Sequence, residues 1–185
     1  MSHRLFTLFI ASIFVGCAAT KSAAPNAVPD TVGPAAVASP AAPRAEQLRP
    51  PQITIRYPNE FWVVLPPEQT PPGSAQYAIN RITGAEIDIR MLPAVPAEFI
   101  KVAAARMKKN GAQLSEIAVS ADGTAASVSF TIADAKQPTR GKLTATAIKG
   151  LPPGAAIVFF GLWSVEFDKS MLADFNAIAG GTLIQ

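Results

Sequence analysis

Residues 155–167 read AAIVFFGLWSVEF, the most hydrophobic run downstream of Cys17. At 13 residues, and with Gly161, Ser164 and Glu166 inside it, the run is too short and too polar for a transmembrane helix, which needs about 20 apolar residues. A short, nearly unbroken apolar run is the pattern of a strand buried on both faces. It is therefore expected to be the central strand of a sheet, and its neighbours in sequence are expected to cover it.

Directly after it, Asp168 or Ser170 can cap a helix by accepting amide hydrogen bonds. Met171, Leu172, Phe175 and Ile178 form that helix's apolar stripe, Gly180-Gly181 stops it, and residues 182–185 frame a last extended piece. Upstream, residues 141–149 form another strand, closed by a turn at Leu151-Pro152-Pro153-Gly154. Residues 114–121 and 124–133 are two strands joined at Asp122-Gly123, a strong signal for a two-residue hairpin turn. A second helix starts near Pro96, with Glu98 at its positive end and Lys108, Lys109, Asn110 and Gly111 at its negative end. Phe99, Ile100, Ala103, Ala104 and Met107 fall on one helical stripe, expected to face the sheet.

The clearest period of two lies in residues 85–92, where Ile87, Ile89 and Met91 take one face and Glu86, Asp88 and Arg90 the other. Residues 76–82, 61–65 and 53–57 supply three more strands, separated by Thr83-Gly84, the Pro66–Ser74 region and Pro58-Asn59. The sum is an α+β domain: an antiparallel sheet of about six to eight strands covered by two main helices.

The N-terminal third differs in composition. Arg4 precedes a charge-free apolar run at residues 5–15, which covers about 17 Å as a helix, roughly half a bilayer's hydrocarbon core. It is expected to be a signal segment. Residues 18–51 hold seven prolines and eleven alanines in 34 positions, so they carry little bulky apolar surface to offset the entropy of ordering. They are expected to be a tether. The chain thus divides into a signal at 1–16, Cys17 with an Ala/Pro-rich disordered linker at 17–51, and one globular domain at 52–185.

Ile13-Phe14-Val15-Gly16-Cys17 resembles the bacterial lipobox, and Cys17 is the one cysteine in the chain. The resemblance implies cleavage before Cys17, acylation of that residue, and, with Ala18 following it, residence at the periplasmic face of the outer membrane. Two or three acyl chains on one residue suffice for stable anchoring. Gly16-Cys17-Ala18 also fits the small-x-small site of ordinary signal peptidase, which would release a soluble protein. In the domain, Tyr57-Pro58 leading to Phe61-Trp62-Val63-Val64-Leu65-Pro66, then hairpins, a helix, paired long strands and an apolar strand passing into a terminal helix, is similar to the Mog1/PsbP-type sandwich. That resemblance implies an accessory binding module without catalysis, and it carries no functional residue onto this chain.

Composition removes several chemistries. The one histidine, His3, lies in the signal, and the one cysteine is the expected lipid site, so the domain has neither imidazole nor thiol. Ser-His-Asp and Cys-His catalysis, the usual zinc ligand sets and disulfides are excluded there. Without Arg4 the chain has fifteen basic against thirteen acidic residues, scattered rather than clustered, which is no nucleic-acid footprint. No cofactor is expected. Glu86, Asp88 and Arg90 are expected on a solvated strand face, where the carboxylates form a weak candidate site for acid–base work or for Ca²⁺. Glu166 and Asp168 repeat the spacing beside a helix start. Phe61-Trp62, next to the proline-rich loop, is a candidate aromatic platform for a sugar or peptide, with core packing as the alternative. Arg106, Lys108 and Lys109 are a candidate contact for anionic wall polymers, or simply a solvated helix end. The expected function is a lipid-anchored envelope binding or assembly module, its partner an envelope protein or the cell wall. The alternatives are an envelope hydrolase using the Glu/Asp pairs and a carrier of a small apolar ligand.

Overall fold

The computed structural model describes residues 53–133, 137–148 and 154–184. The signal, Cys17, the linker, the last residue of the expected 141–149 strand and residues 151–153 of the expected Leu151–Gly154 turn lie outside the described residues.

The strands are β1 (Ile53–Thr54), β2 (Trp62–Val64), β3 (Gln76–Asn80), β4 (Glu86–Pro93), β5 (Gln113–Leu114), β6 (Ala118–Val119), β7 (Ala125–Ile132), β8 (Thr139–Ala147), β9 (Ala155–Ser164) and β10 (Leu183–Ile184). Helix α1 spans Pro96–Lys109 and α2 spans Asp168–Gly180. Eight strands form one antiparallel sheet in the order β2-β3-β4-β9-β8-β7-β5, with β6 also on β7, while β1 and β10 pair separately. The α+β expectation holds, and β9 is the middle strand, as its apolar run implies. Among the described residues no helix is long and apolar enough to cross a membrane.

Side chains alternate across β9, and each set has its own helix. Val158 and Phe160 join Phe99, Ile100, Ala103 and Met107 of α1 in one core. Ile157, Phe159 and Trp163 join Met171, Phe175 and Ile178 of α2 in a second core on the opposite face. The helices are offset: α1 lies over β7 and β8, whereas α2 lies over β8 and β9. Each face of the sheet therefore keeps a stretch that no helix covers. Proline at the start of α1 and Gly111 with φ +88° just past its end match the expected helix limits.

Local differences have local causes. Only Ile53–Thr54 of the expected 53–57 strand is laddered, because it pairs with β10 and the chain then turns to bring Tyr57 to 6.2 Å from the Trp62 ring. The expected 114–121 strand divides into β5 and β6. Between them the Ser115 hydroxyl accepts from the Ser129 amide at 3.0 Å, inserting a side chain into the ladder. The Asp122-Gly123 loop runs over residues 120–124, five rather than two. Its Asp122 carboxylate accepts from the Ser120 and Thr124 hydroxyls at 2.7 and 2.8 Å and is held near a pKa of about 2 by those bonds.

Candidate functional site

The face of β4 carrying Glu86, Asp88 and Arg90 is buried rather than solvated, with relative exposures of 8, 1 and 7%. At the Arg90 end the cover is the proline-rich loop between β2 and β3. Its Ala75 amide bonds the Ile89 carbonyl at 2.7 Å, and a β-carbon at Gly73 would stand 3.5 Å from a terminal Arg90 nitrogen. The loop does there what α1 does over β7 and β8. Period two identified a strand correctly, but it could not show that both faces are covered.

Several of the buried polar groups on this face are paired. Arg90 Nε and Nη2 donate to Asp88 Oδ2 at 2.9 and 2.8 Å, and the Tyr77 hydroxyl donates to Glu86. The Ser74 hydroxyl and Asp88 Oδ1 are buried without a hydrogen bond of ordinary geometry, although Ser74 lies close enough to draw the Asp88 pKa down. Burial outweighs Ser74 and Arg90 and leaves the Asp88 pKa raised. Asp88 is covered, with 1% exposure, whereas Glu86 borders a cavity of about 220 Å³ that Thr83, Gln137, Thr139 and Ser164 also line. Among the described residues no three His, Cys, Asp or Glu side chains gather to hold a metal ion.

Both tyrosines of the chain keep their protons in the folded state. Burial pushes Tyr57 up to about 12, and burial followed by the neighbouring Glu86 carboxylate pushes Tyr77 strongly upward. Because the folded values exceed the ordinary one of about 10, this contribution to stability is complete below about pH 10 and lost as pH rises through the folded values. An ultraviolet titration should therefore show little tyrosinate at about pH 11, where free tyrosine is mostly ionised, with the signal appearing only as the circular dichroism reports unfolding. Early ionisation of one residue in the intact fold would mean that its ring is wet.

Phe61 and Trp62 do not form a platform. Strand alternation divides them: Trp62 is buried and donates its indole proton to Asp174 of α2 at 2.8 Å, while Phe61 points outward at 45% exposure. Lys108 and Lys109 are exposed at the end of α1. Glu166 is exposed in the turn between β9 and α2, but Asp168 is built into a cluster. Its Oδ1 accepts from the Trp163 indole at 3.0 Å, and its Oδ2 contacts Arg140 Nη1 at 2.6 Å.

That cluster borders a cavity of about 290 Å³ lined by Ser129, Thr131, Arg140, Trp163, Asp168 and Leu172, among others. It occupies the part of the sheet that α2 leaves uncovered. The alternation Ser127-x-Ser129-x-Thr131 facing Arg140-x-Lys142-x-Thr144 places hydroxyls and cations together on one face. Sequence reasoning passed over these residues because each run also fits an ordinary strand with one wet face. Pairing Thr131 with Arg140 and Ser129 with Lys142 is what makes them neighbours.

No protein-family model matches the chain. No curated protein matches it either. Among solved structures, it is similar to LpqN of Mycobacterium tuberculosis, described as involved in cell envelope biogenesis, with 17% identity, a TM-score of 0.53, and coverage of 75% of this chain and 87% of that one. The two share a fold. Looser matches are the cyanobacterial PsbP of Synechocystis sp. PCC 6803 (13% identity, TM-score 0.40, 76% and 96% coverage) and the Ran-binding protein Mog1p of Saccharomyces cerevisiae (10% identity, TM-score 0.39, 68% and 83% coverage). The likeness to LpqN bears on the fold.

Proposed function

We propose that the protein is an outer-membrane-anchored periplasmic lipoprotein whose α+β domain is a non-catalytic binding or assembly module of the cell envelope. The observation that carries this reading is the position of the chain's one cysteine, Cys17, directly after the apolar run at residues 5–15. Two further features support it. The domain contains no imidazole or thiol and buries Asp88 against Arg90, and it shares a fold with LpqN, a protein described as involved in cell envelope biogenesis. The linker would hold the domain off the membrane, with an average reach of about 30–35 Å as a flexible coil. The partner would be another envelope protein or the cell wall.

Labelled palmitate fed to the native host should enter the protein and fractionate with the outer membrane. A Cys17→Ala variant should lose the label and leave the membrane fraction. Wild-type protein recovered unlabelled in the soluble fraction would end the anchoring reading. Crosslinking in intact cells, followed by mass spectrometry of the same envelope partner from independent cultures, tests the module reading separately.

A further inference from the structure

We propose that the cavity between α2 and strands β5, β7 and β8 binds a small hydroxylated oxyanion, a sugar acid or a sugar phosphate. This names a ligand class for the binding module and rests on that reading of the domain, though not on where the domain resides.

Arg140 and Lys142 are two apart on β8, so they share the α2 side of the sheet and start about 7 Å from each other. Thr131 and Ser129 stand directly opposite them on β7. The guanidinium is held at the cavity wall: Asp168, which lines the same cavity, contacts one Arg140 nitrogen and is itself fixed by the Trp163 indole. One carboxylate oxygen against five guanidinium donors leaves a pre-oriented fork for a planar oxyanion, and carboxylate and phosphate both fit that geometry. Lys142 reaches over the Phe175 ring at 6.0 Å and donates to Asn176 Oδ1 at 2.9 Å. Those partners are neutral, so the two cations and Asp168 leave one net positive charge beside the cavity.

Lys142 flanks the cavity without lining it; burial lowers its pKa, and an anion held by Arg140 would relieve part of that penalty from beside it. The Ser129 and Thr131 hydroxyls can exchange hydrogen bonds with ligand hydroxyls, and Leu172 supplies an apolar wall. The volume of about 290 Å³ lies at the small end for ligand sites, which suits one sugar ring better than a polymer.

The chain's two tryptophans provide a test with its own control. Trp163 lines the cavity, while Trp62 lies on edge strand β2 and bonds a different carboxylate, Asp174. Full chain in detergent micelles, labelled with ¹⁵N at the indoles, is titrated separately with glucuronate, glucose 6-phosphate and glucose. The Trp163 indole signal should move saturably with at least one of the anions, and the relative affinities of the two identify carboxylate or phosphate as the better ligand. Trp62 should stay still, and glucose should move neither. Arg140→Gln should reduce the response to the level of glucose, and Lys142→Met should weaken binding about tenfold. The proposal is overturned if glucose acts like the anions, if both indoles move together, or if Trp163 is silent to both anions. Should Arg140→Gln misfold, the wild-type contrast of anions against glucose and the Lys142→Met titration still decide. A silent Trp163 beside a reproducible crosslinked partner sinks this inference alone; saturable anion binding without any partner sinks only the assembly reading.

Discussion

Arg90→Met is expected to cost about 3–5 kcal/mol and to lower the unfolding midpoint by about 10–20 °C. The Asp88 side chain is fully covered and that of Arg90 is 8% exposed, so removing the guanidinium strands a carboxylate whose Oδ2 has lost both of its close donors. A domain of this size has about 5–15 kcal/mol in all, so the loss is a large fraction of it. The same physics predicts recovery: the double change Arg90→Met with Asp88→Leu should regain most of the loss, because replacing a whole buried pair with apolar groups is often neutral or better. Chemical denaturation of the two variants decides the matter. A cost below about 1 kcal/mol for Arg90→Met would mean that water reaches Asp88 beneath the loop.

Gly141→Ala is the second large effect, with an expected loss of about 3 kcal/mol or more. A β-carbon there would stand 2.3 Å from Phe130 Cζ and 2.4 Å from the Gly161 carbonyl oxygen. The ring is buried and stacked 5.4 Å from Phe160, and the oxygen belongs to the neighbouring central strand, so neither can yield without separating β8 from β9 or opening the α1 core. Gly161→Ala is the informative comparison. Its nearest obstructions are the Phe175 and Trp163 rings, side chains only, so its loss should be about 1–3 kcal/mol and a compensating Phe175→Leu should recover part of it. Phe130→Leu should do less for Gly141→Ala, because the backbone oxygen remains. If both glycine variants melt with the wild type, the close approach of β8, β9 and α2 is wrong.

The parts of the fold that were legible in the sequence are those where one local pattern has one structural solution. The apolar run of β9 reads as the central strand and the Phe99 to Met107 stripe as a sheet-facing surface, and both are so placed. The candidate site was less legible because burial depends on what comes from elsewhere. Glu86, Asp88 and Arg90 look like a wet face until a loop upstream is known to fold against the Arg90 end. Phe61 and Trp62 are adjacent in sequence, yet alternation on an edge strand sends them to opposite environments. The Arg140 and Lys142 shelf exists only through cross-strand register and through Asp168 reaching back from α2, relations that no local window contains.

The position of β9 in the sheet has a temporal consequence. Its partner β4 precedes it by about seventy residues, so the first three sheet strands are made well before the strand that joins them to β8 and β7. Until residues 155–164 arrive, the outer backbone edge of β4 is unpaired, and the α2 side chains that share a core with Ile87 and Ile89 come later still. Such long-range pairing slows folding and exposes sticky intermediates. Whatever carries the nascent chain to the place where it folds must keep that half-built edge from pairing with a stranger.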